Sequence, residues 1–390
     1  MKEQKERNQP FSDFMADVLN HGALNLAMGI GYRLGLFDAM DGLPGPKSAG
    51  DIAKEAGLDP RYVTEWLGVM VCGGVVDILA GKNDEDLFFL PKEHADLLTR
   101  RAGEANLGVY TQEIPLLSVS ALEPVAEGFA TGSGVSYEHY PKFQRFMTEL
   151  ADAKHRRVLV DRFLPSVDGG RLIRRLESGI RACDLGCGEG VAVLLMAEAF
   201  PKSEFIGIDL SGSALDTAES AAHRQGAKNV RFIRADAARL DQEPDLVSSF
   251  DYVTALDAIH DQSRPEEALA SAYAILRPGG AFSMVDIAAS SRMADNRNHP
   301  MGPFLYTVSL MHCMPVGLND NGRGLGMMWG QKQATALLKD AGFEHVELAE
   351  MEHDPFNLHY LCKVGKRIGV GPPRPNPAPG QIQAKMGRIF

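Results

Sequence analysis

Asp184-Leu185-Gly186-Cys187-Gly188-Glu189-Gly190 is the stretch on which the reading of this chain turns. The run Arg181–Leu185 leads into it with strand character, and a helix-forming segment follows. Three glycines on alternate positions let the backbone turn tightly and let a ligand approach with no Cβ in its path. The helix that opens behind them offers free N–H groups and the positive end of its dipole to a carboxylate.

Working outward, the next short apolar run, Glu204–Leu210, ends in Asp209. An acid at the tip of the second strand is what a nucleotide-binding fold uses to accept hydrogen bonds from ribose hydroxyls. The third run, Val230–Ala235, is followed by Asp236 and Ala237, a carboxylate and a backbone N–H placed to meet an adenine. Further runs lie at Phe250–Leu256 and Ala281–Ile287, the latter entered through Leu276-Arg277-Pro278-Gly279-Gly280, with two more at His345–Ala349 and His359–Val364. Amphipathic helices alternate with these runs, which predicts a mostly parallel sheet covered by helices on both faces.

This ordered set resembles class I S-adenosylmethionine-dependent methyltransferases over residues 166–364. The glycine spacing is Gly-x-Gly-x-Gly after an acid and not the Gly-x-Gly-x-x-Gly of dinucleotide sites. The resemblance implies a Rossmann-like α/β sheet with an antiparallel last strand, S-adenosylmethionine as cofactor and S-adenosylhomocysteine as product. It implies cofactor contacts from Asp184, Gly186, Gly188, Gly190, Asp209, Leu210, Asp236, Ala237 and Asp257, with Asp184 anchoring the loop and the methionine ammonium. Asp236 also has a plainer reading, as a helix cap.

The fourth run ends in Leu256-Asp257-Ala258-Ile259-His260-Asp261-Gln262. This resembles the His-Asp-x-Ser motif of the O-methyltransferases of plant phenolics and polyketide tailoring, whose histidine is the general base. Gln262 and Arg264 depart from that pattern, standing where an aromatic and an acid are common. His260 and Asp261 are the expected catalytic pair, since an imidazole titrates near neutrality. The pair also has a plainer reading, as a helix cap. A pocket for a small-molecule acceptor is expected from Phe146 and Met147 and from Tyr306, His312 and Trp329, the last three in an insertion over residues 301–330. Methionines and aromatics suit an apolar wall. No dense ligand motif supports a metal, so none is expected. Asn357 and His359 open the final strand, at the pocket rim or only in the hairpin. The acceptor atom is open: oxygen leads, and a small thiol is the alternative.

Ahead of this lies a helix over residues 21–40 and a helix-turn-helix, with Asp59 capping the second helix and Pro60 at its first position. A hairpin over residues 75–90 completes a winged-helix pattern. The four expected units are a winged-helix dimerisation domain (1–100), a helical linker and lid (101–165), the methyltransferase domain (166–364) and a proline-rich tail (365–390). A DNA-reading helix should carry Arg, Lys, Asn or Gln, but Asp59-Pro60-Arg61-Tyr62-Val63-Thr64-Glu65-Trp66 has one Arg against two acids. Net charge is −11 over 390 residues, which also argues against phosphate binding. A homodimer through the amino-terminal domain is therefore expected ahead of a cofactor-sensing DNA regulator or a catalytically dead interaction protein. Five scattered cysteines, no signal-type leader and no apolar span predict a cytoplasmic protein without disulfides, nucleic-acid partner or membrane contact.

Overall fold

The structure is a computed structural model that describes residues 10–81, 85–140 and 143–365. The proline-rich stretch at 371–380 lies outside the described residues. The chain opens with helices α1 (Phe11–Arg33), α2 (Leu36–Gly42), α3 (Ala49–Ala56) and α4 (Pro60–Cys72). The helix expected over residues 21–40 is in fact two. Gly35 sits at φ 73°, a left-handed conformation that an L side chain resists, and it ends α1 and starts α2. Asp59 accepts from the N–H groups of Arg61 and Tyr62, as the capping pattern predicts. Strands β1 (Asp77–Ala80) and β2 (Asp86–Phe89) pair antiparallel, and Lys47 bridges to Phe88. Trp66 donates its Nε1 hydrogen to the Ala27 carbonyl at 2.9 Å and packs edge-on to Phe37, fastening α4 to α1 and α2.

A helical stretch follows: α5 (Lys92–Leu98), α6 (Glu113–Thr131) and α7 (Phe143–Val158). α7 runs on into a wide-turn segment, Leu159–Phe163, and then α8 (Arg171–Ser178). The methyltransferase-like half alternates β3 (Arg181–Leu185), α9 (Val191–Ala199), β4 (Glu204–Asp209), α10 (Gly212–Gln225), β5 (Val230–Arg234), β6 (Phe250–Leu256), α11 (Pro265–Ile275) and β7 (Leu276–Ile287). After α12 (Gly302–Val308) and α13 (Gln331–Asp340), β8 (His345–Glu350) and β9 (Asn357–Lys363) close the sheet.

The sheet order is β5-β4-β3-β6-β7-β9-β8. The first five strands run parallel and β9 is antiparallel to both neighbours. Strand order reverses between β3 and β6, so the crevice outside their carboxyl ends is where this topology binds ligands. One core lies on each face of the sheet. A third joins the amino-terminal helices to Val135, Tyr140, Phe143 and Phe146 and to Val308, Met311 and Cys313, so the insertion packs on the amino-terminal half.

Candidate functional site

The glycine loop lies at the switch point. Gly186, Gly188 and Gly190 have φ of 69°, 53° and 78°. A Cβ on Gly186 would meet the Ala258 methyl at 2.6 Å, and one on Gly190 would meet the Phe232 ring at 2.9 Å. The loop is thus packed between the continuation of β6 and strand β5. Asp209 ties it down from the side: Gly188 N–H donates to Oδ2 and Ser211 N–H to Oδ1, each at 2.8 Å. Asp184 is buried and accepts from Thr254 Oγ1 at 2.6 Å. Burial raises its pKa to about 7, against the lowering effect of that hydrogen bond.

Asp236 accepts from Ala238 N–H at 2.9 Å and pairs with Arg264, so within the protein it acts as a cap. Ala237 beside it is buried, while the Leu210 side chain is exposed at the crevice rim. Asp257 takes a left-handed conformation (φ 52°) directly after β6. Lys154 and Asn357 both donate to its Oδ2, at 2.8 and 3.2 Å.

His260 is buried beyond the end of β6. Its Nδ1 is 2.8 Å from Asp286 Oδ1, and because a carboxylate only accepts, Nδ1 carries the hydrogen. Trp329 Nε1 donates to the same oxygen at 3.1 Å, and the Ile287 N–H at 2.8 Å. Nε2 of His260 lies 3.1 Å from Asp261 Oδ1. Burial favours the neutral ring, but the two carboxylates outweigh it and push the His260 pKa well above its ordinary value. The same pairing holds Asp261 below the usual carboxylate range although it is buried.

His312 stands among Tyr137, Tyr140 and Phe143, with ring centroids 5.7, 4.9 and 4.5 Å away. Burial lowers its pKa, and its Nε2 has no hydrogen-bond partner among the described residues. Cys313 brings its Sγ within 4.8 Å of the ligating atoms of His260 and Asp261, an arrangement whose composition could hold a metal ion. Burial pushes that thiol up to about 12, so it is protonated near neutrality.

Of the expected pocket residues, His312 and Trp329 gather around the His260 group. Tyr306 instead packs with Ile287, Ala289 and Met328, and its hydroxyl accepts from Asn296. Phe146 is buried against Phe143, and Met147 packs half-buried against the same core. Sequence reasoning missed Asp286, Thr254, Tyr137 and Lys154. Asp286 left one readable signal, a carboxylate within the apolar run Phe282–Ile287.

Residues 176–342 match a family described as methyltransferase domain, and residues 22–100 a Rv2258c-like winged HTH domain. Trans-aconitate 2-methyltransferase of Variovorax paradoxus is 32% identical over 128 residues, which cover 32% of this chain and 42% of that protein. A ubiquinone/menaquinone biosynthesis C-methyltransferase of Rhizobium leguminosarum is 28% identical over 191 residues, covering 44% and 67%. The chain thus spans from about two fifths to two thirds of the length of such curated relatives. Among solved structures, human N-acetylserotonin methyltransferase in complex with SAM aligns over 92% of this chain and 99% of its own, with TM-score 0.67 and 16% identity. An O-methyltransferase family protein from Burkholderia thailandensis aligns over 92% and 99%, with TM-score 0.65 and 13% identity. At such identities the likeness is one of fold. The chain thus carries a methyltransferase domain over residues 176–342 and, ahead of it, a winged helix-turn-helix domain over residues 22–100.

Proposed function

We propose that the protein binds S-adenosylmethionine over the Asp184–Gly190 loop and directs its methyl group to a hydroxyl of a small molecule, with His260 as general base and S-adenosylhomocysteine as product. The residues present fit that cofactor. Gly188 opens onto free space where a Cβ would sit, Gly186 and Gly190 seat the loop against Ala258 and Phe232, Asp184 is a buried carboxylate suited to an ammonium, and Asp209 faces the loop from the neighbouring strand. The cofactor supplies a methyl group already activated on a sulfonium. The chain's own work is to align the acceptor and remove its proton.

The observation that carries the reading is His260, oriented by Asp286 and placed two residues beyond the Ala258 that touches the glycine loop. Asp261, 3.1 Å from Nε2, stabilises the imidazolium that proton removal creates. That same pairing keeps the ring protonated near neutrality, so the base form grows in as pH rises. The raised pKa is also the one observation that favours the second reading, methylation of a small thiol. A thiol of pKa near 8.5 supplies some thiolate without help from a base.

Two features support a two-fold homodimer over a DNA-bound regulator. α4 presents Tyr62 to solvent and pairs its Arg61 with Glu65, leaving no cationic face. α1 exposes Phe11, Phe14, Met15, Val18 and Leu19, an apolar surface suited to a second copy. Among the described residues no helix is long and apolar enough to cross a membrane.

The test of the activity is incubation with methyl-labelled S-adenosylmethionine and a small-metabolite extract, followed by identification of the labelled product. A label on oxygen supports the leading reading and a label on sulfur the second. Calorimetry that detects NAD and not S-adenosylmethionine would overturn both.

A further inference from the structure

The segment beyond β6 carries more than a base. His260 Nδ1 donates to Asp286, and Asp286 is itself held by Trp329 and by the Ile287 N–H. The ring is therefore fixed, with Nε2 turned away from Asp286. Two further electron-pair donors stand beside Nε2: Asp261, whose Oδ1 is 3.1 Å away, and Cys313, whose Sγ lies within 4.8 Å of both. The three come from the segment after β6 and from the insertion, which the sequence keeps apart, so no ligand motif marks them there.

Three features of this group point to a cation. Asp261 Oδ1 is shielded from solvent and has no hydrogen-bond partner among the described residues, although Nε2 is 3.1 Å away. The two atoms touch without the alignment that a hydrogen bond needs, as donors converging on a third point do. A buried acceptor left unmet costs free energy, so a positive charge belongs beside it. The second feature is the bond from Nδ1–H to a carboxylate. Metal-ligating histidines almost always carry one, because it fixes the tautomer and makes the other nitrogen a better ligand. The third is the donor set itself: nitrogen, oxygen and sulfur together suit zinc. Zinc bonds run about 2.0 Å to nitrogen and oxygen and about 2.3 Å to sulfur, so small side-chain rotations close the three donors onto one ion. His260 and Cys313 are buried, while Asp261 is a quarter exposed and leaves the ion a way in.

We propose that His260, Asp261 and Cys313 bind one zinc ion, and that this ion switches methyl transfer off. Zinc takes the Nε2 lone pair that would accept the acceptor's proton. The switch therefore rests on the general-base reading above, while the site itself does not. The Cys313 thiol is protonated in the free protein, but a coordinating thiol gives up its proton outright. Binding releases that proton to solvent, together with any on Nε2. In the competing account His260 and Asp261 are only an ion pair and Cys313 a buried neighbour. That account gives the sulfur no reason to touch a metal.

The test titrates the full chain, stripped with chelator, with zinc by calorimetry and with cobalt(II) by absorption. One ion per chain and a thiolate-to-cobalt charge-transfer band in the near ultraviolet are expected. Cys313→Ser should lose the band, and Cys72→Ser, at an exposed thiol on α4, should keep it. Asp286→Asn leaves every ligand in place and removes only the carboxylate behind Nδ1. It should weaken zinc by about 10- to 100-fold, the scale of losing such a partner. Absence of the band in the unmodified chain, where no variant has to fold, would overturn the site and leave the general-base reading intact. Equal zinc affinity in the unmodified chain and Cys313→Ser would do the same. In the labelling assay, zinc should suppress product and chelator should restore it. Undiminished transfer with zinc bound would overturn the switch, and with it His260 as the base.

Discussion

Asp184 and His260 are two buried titratable groups whose surroundings displace them in ways an experiment can read. Burial raises the pKa of Asp184 to about 7. The folded protein then holds a proton that the unfolded chain releases above pH ~4, so this group costs stability as pH rises from ~4 to ~7, by on the order of 4 kcal/mol. A bound ammonium reverses the preference and expels the proton. Cofactor affinity should therefore rise between pH 6 and 8 with proton release. Calorimetry in buffers of different ionisation enthalpy measures this directly, and Asp184→Asn should abolish both effects. For His260 the shift is in the same direction, burial being outweighed by two carboxylates. Its raised pKa keeps the base form scarce below neutrality, so kcat on an oxygen acceptor should climb with alkaline pH. His260→Ala should lower kcat by about 10²–10⁴-fold on a hydroxyl, but only about tenfold or less on a thiol. Asp286→Asn removes one of the two charges that hold the proton, so the rising limb of the pH–rate profile should move to lower pH. A profile that stays in place would detach Asp286 from the base.

Among the elements, the strand–loop–helix unit β3–α9 depends most on one residue type. Gly190 is left-handed and lies against the Phe232 ring and the Ala218 methyl, which a Cβ would approach to 2.9 and 3.0 Å. Gly190→Ala should cost about 1–2 kcal/mol in backbone strain, with overpacking added. The thermal midpoint should fall by several degrees, and binding of the cofactor should weaken because the loop must shift. By contrast a Cβ on Gly35 would meet nothing within 4 Å, so Gly35→Ala should show the backbone strain alone. A larger loss at Gly35 than at Gly190 in a melting experiment would contradict this ranking.

For the whole molecule, two halves that share a core cannot work as independent beads. The amino-terminal helices, Tyr140, Phe143 and Phe146 and the 308–313 segment pack together, so the aromatic cage of His312 is built from both halves. The apolar face of α1 remains open on one copy. Light scattering at micromolar concentration should give twice 42.4 kDa, and Leu19→Asp should shift it toward the monomer. A monomer mass for the unmodified chain would remove the dimer. Salt-dependent retention on DNA would revive the regulator.

What the sequence determined by itself was everything carried by local pattern. Residues 204–210 alternate with helices in a period that only a parallel sheet accommodates, and β4 forms at Glu204–Asp209. Gly186, Gly188 and Gly190 announce a left-handed turn because no other residue occupies three such positions cheaply. Asp59-Pro60 announces a helix start for a similar local reason. His260 was legible as a candidate by its place at a strand end, but its protonation was not. That depends on Asp286, 26 positions away and brought alongside by the pairing of β6 with β7. The Lys154 ion pairs draw on α7, the end of β6 and the loop before β9, up to 200 positions apart. Charge pairing, burial and an acceptor left without a donor are properties of neighbours in space, and only the tertiary structure decides who those neighbours are.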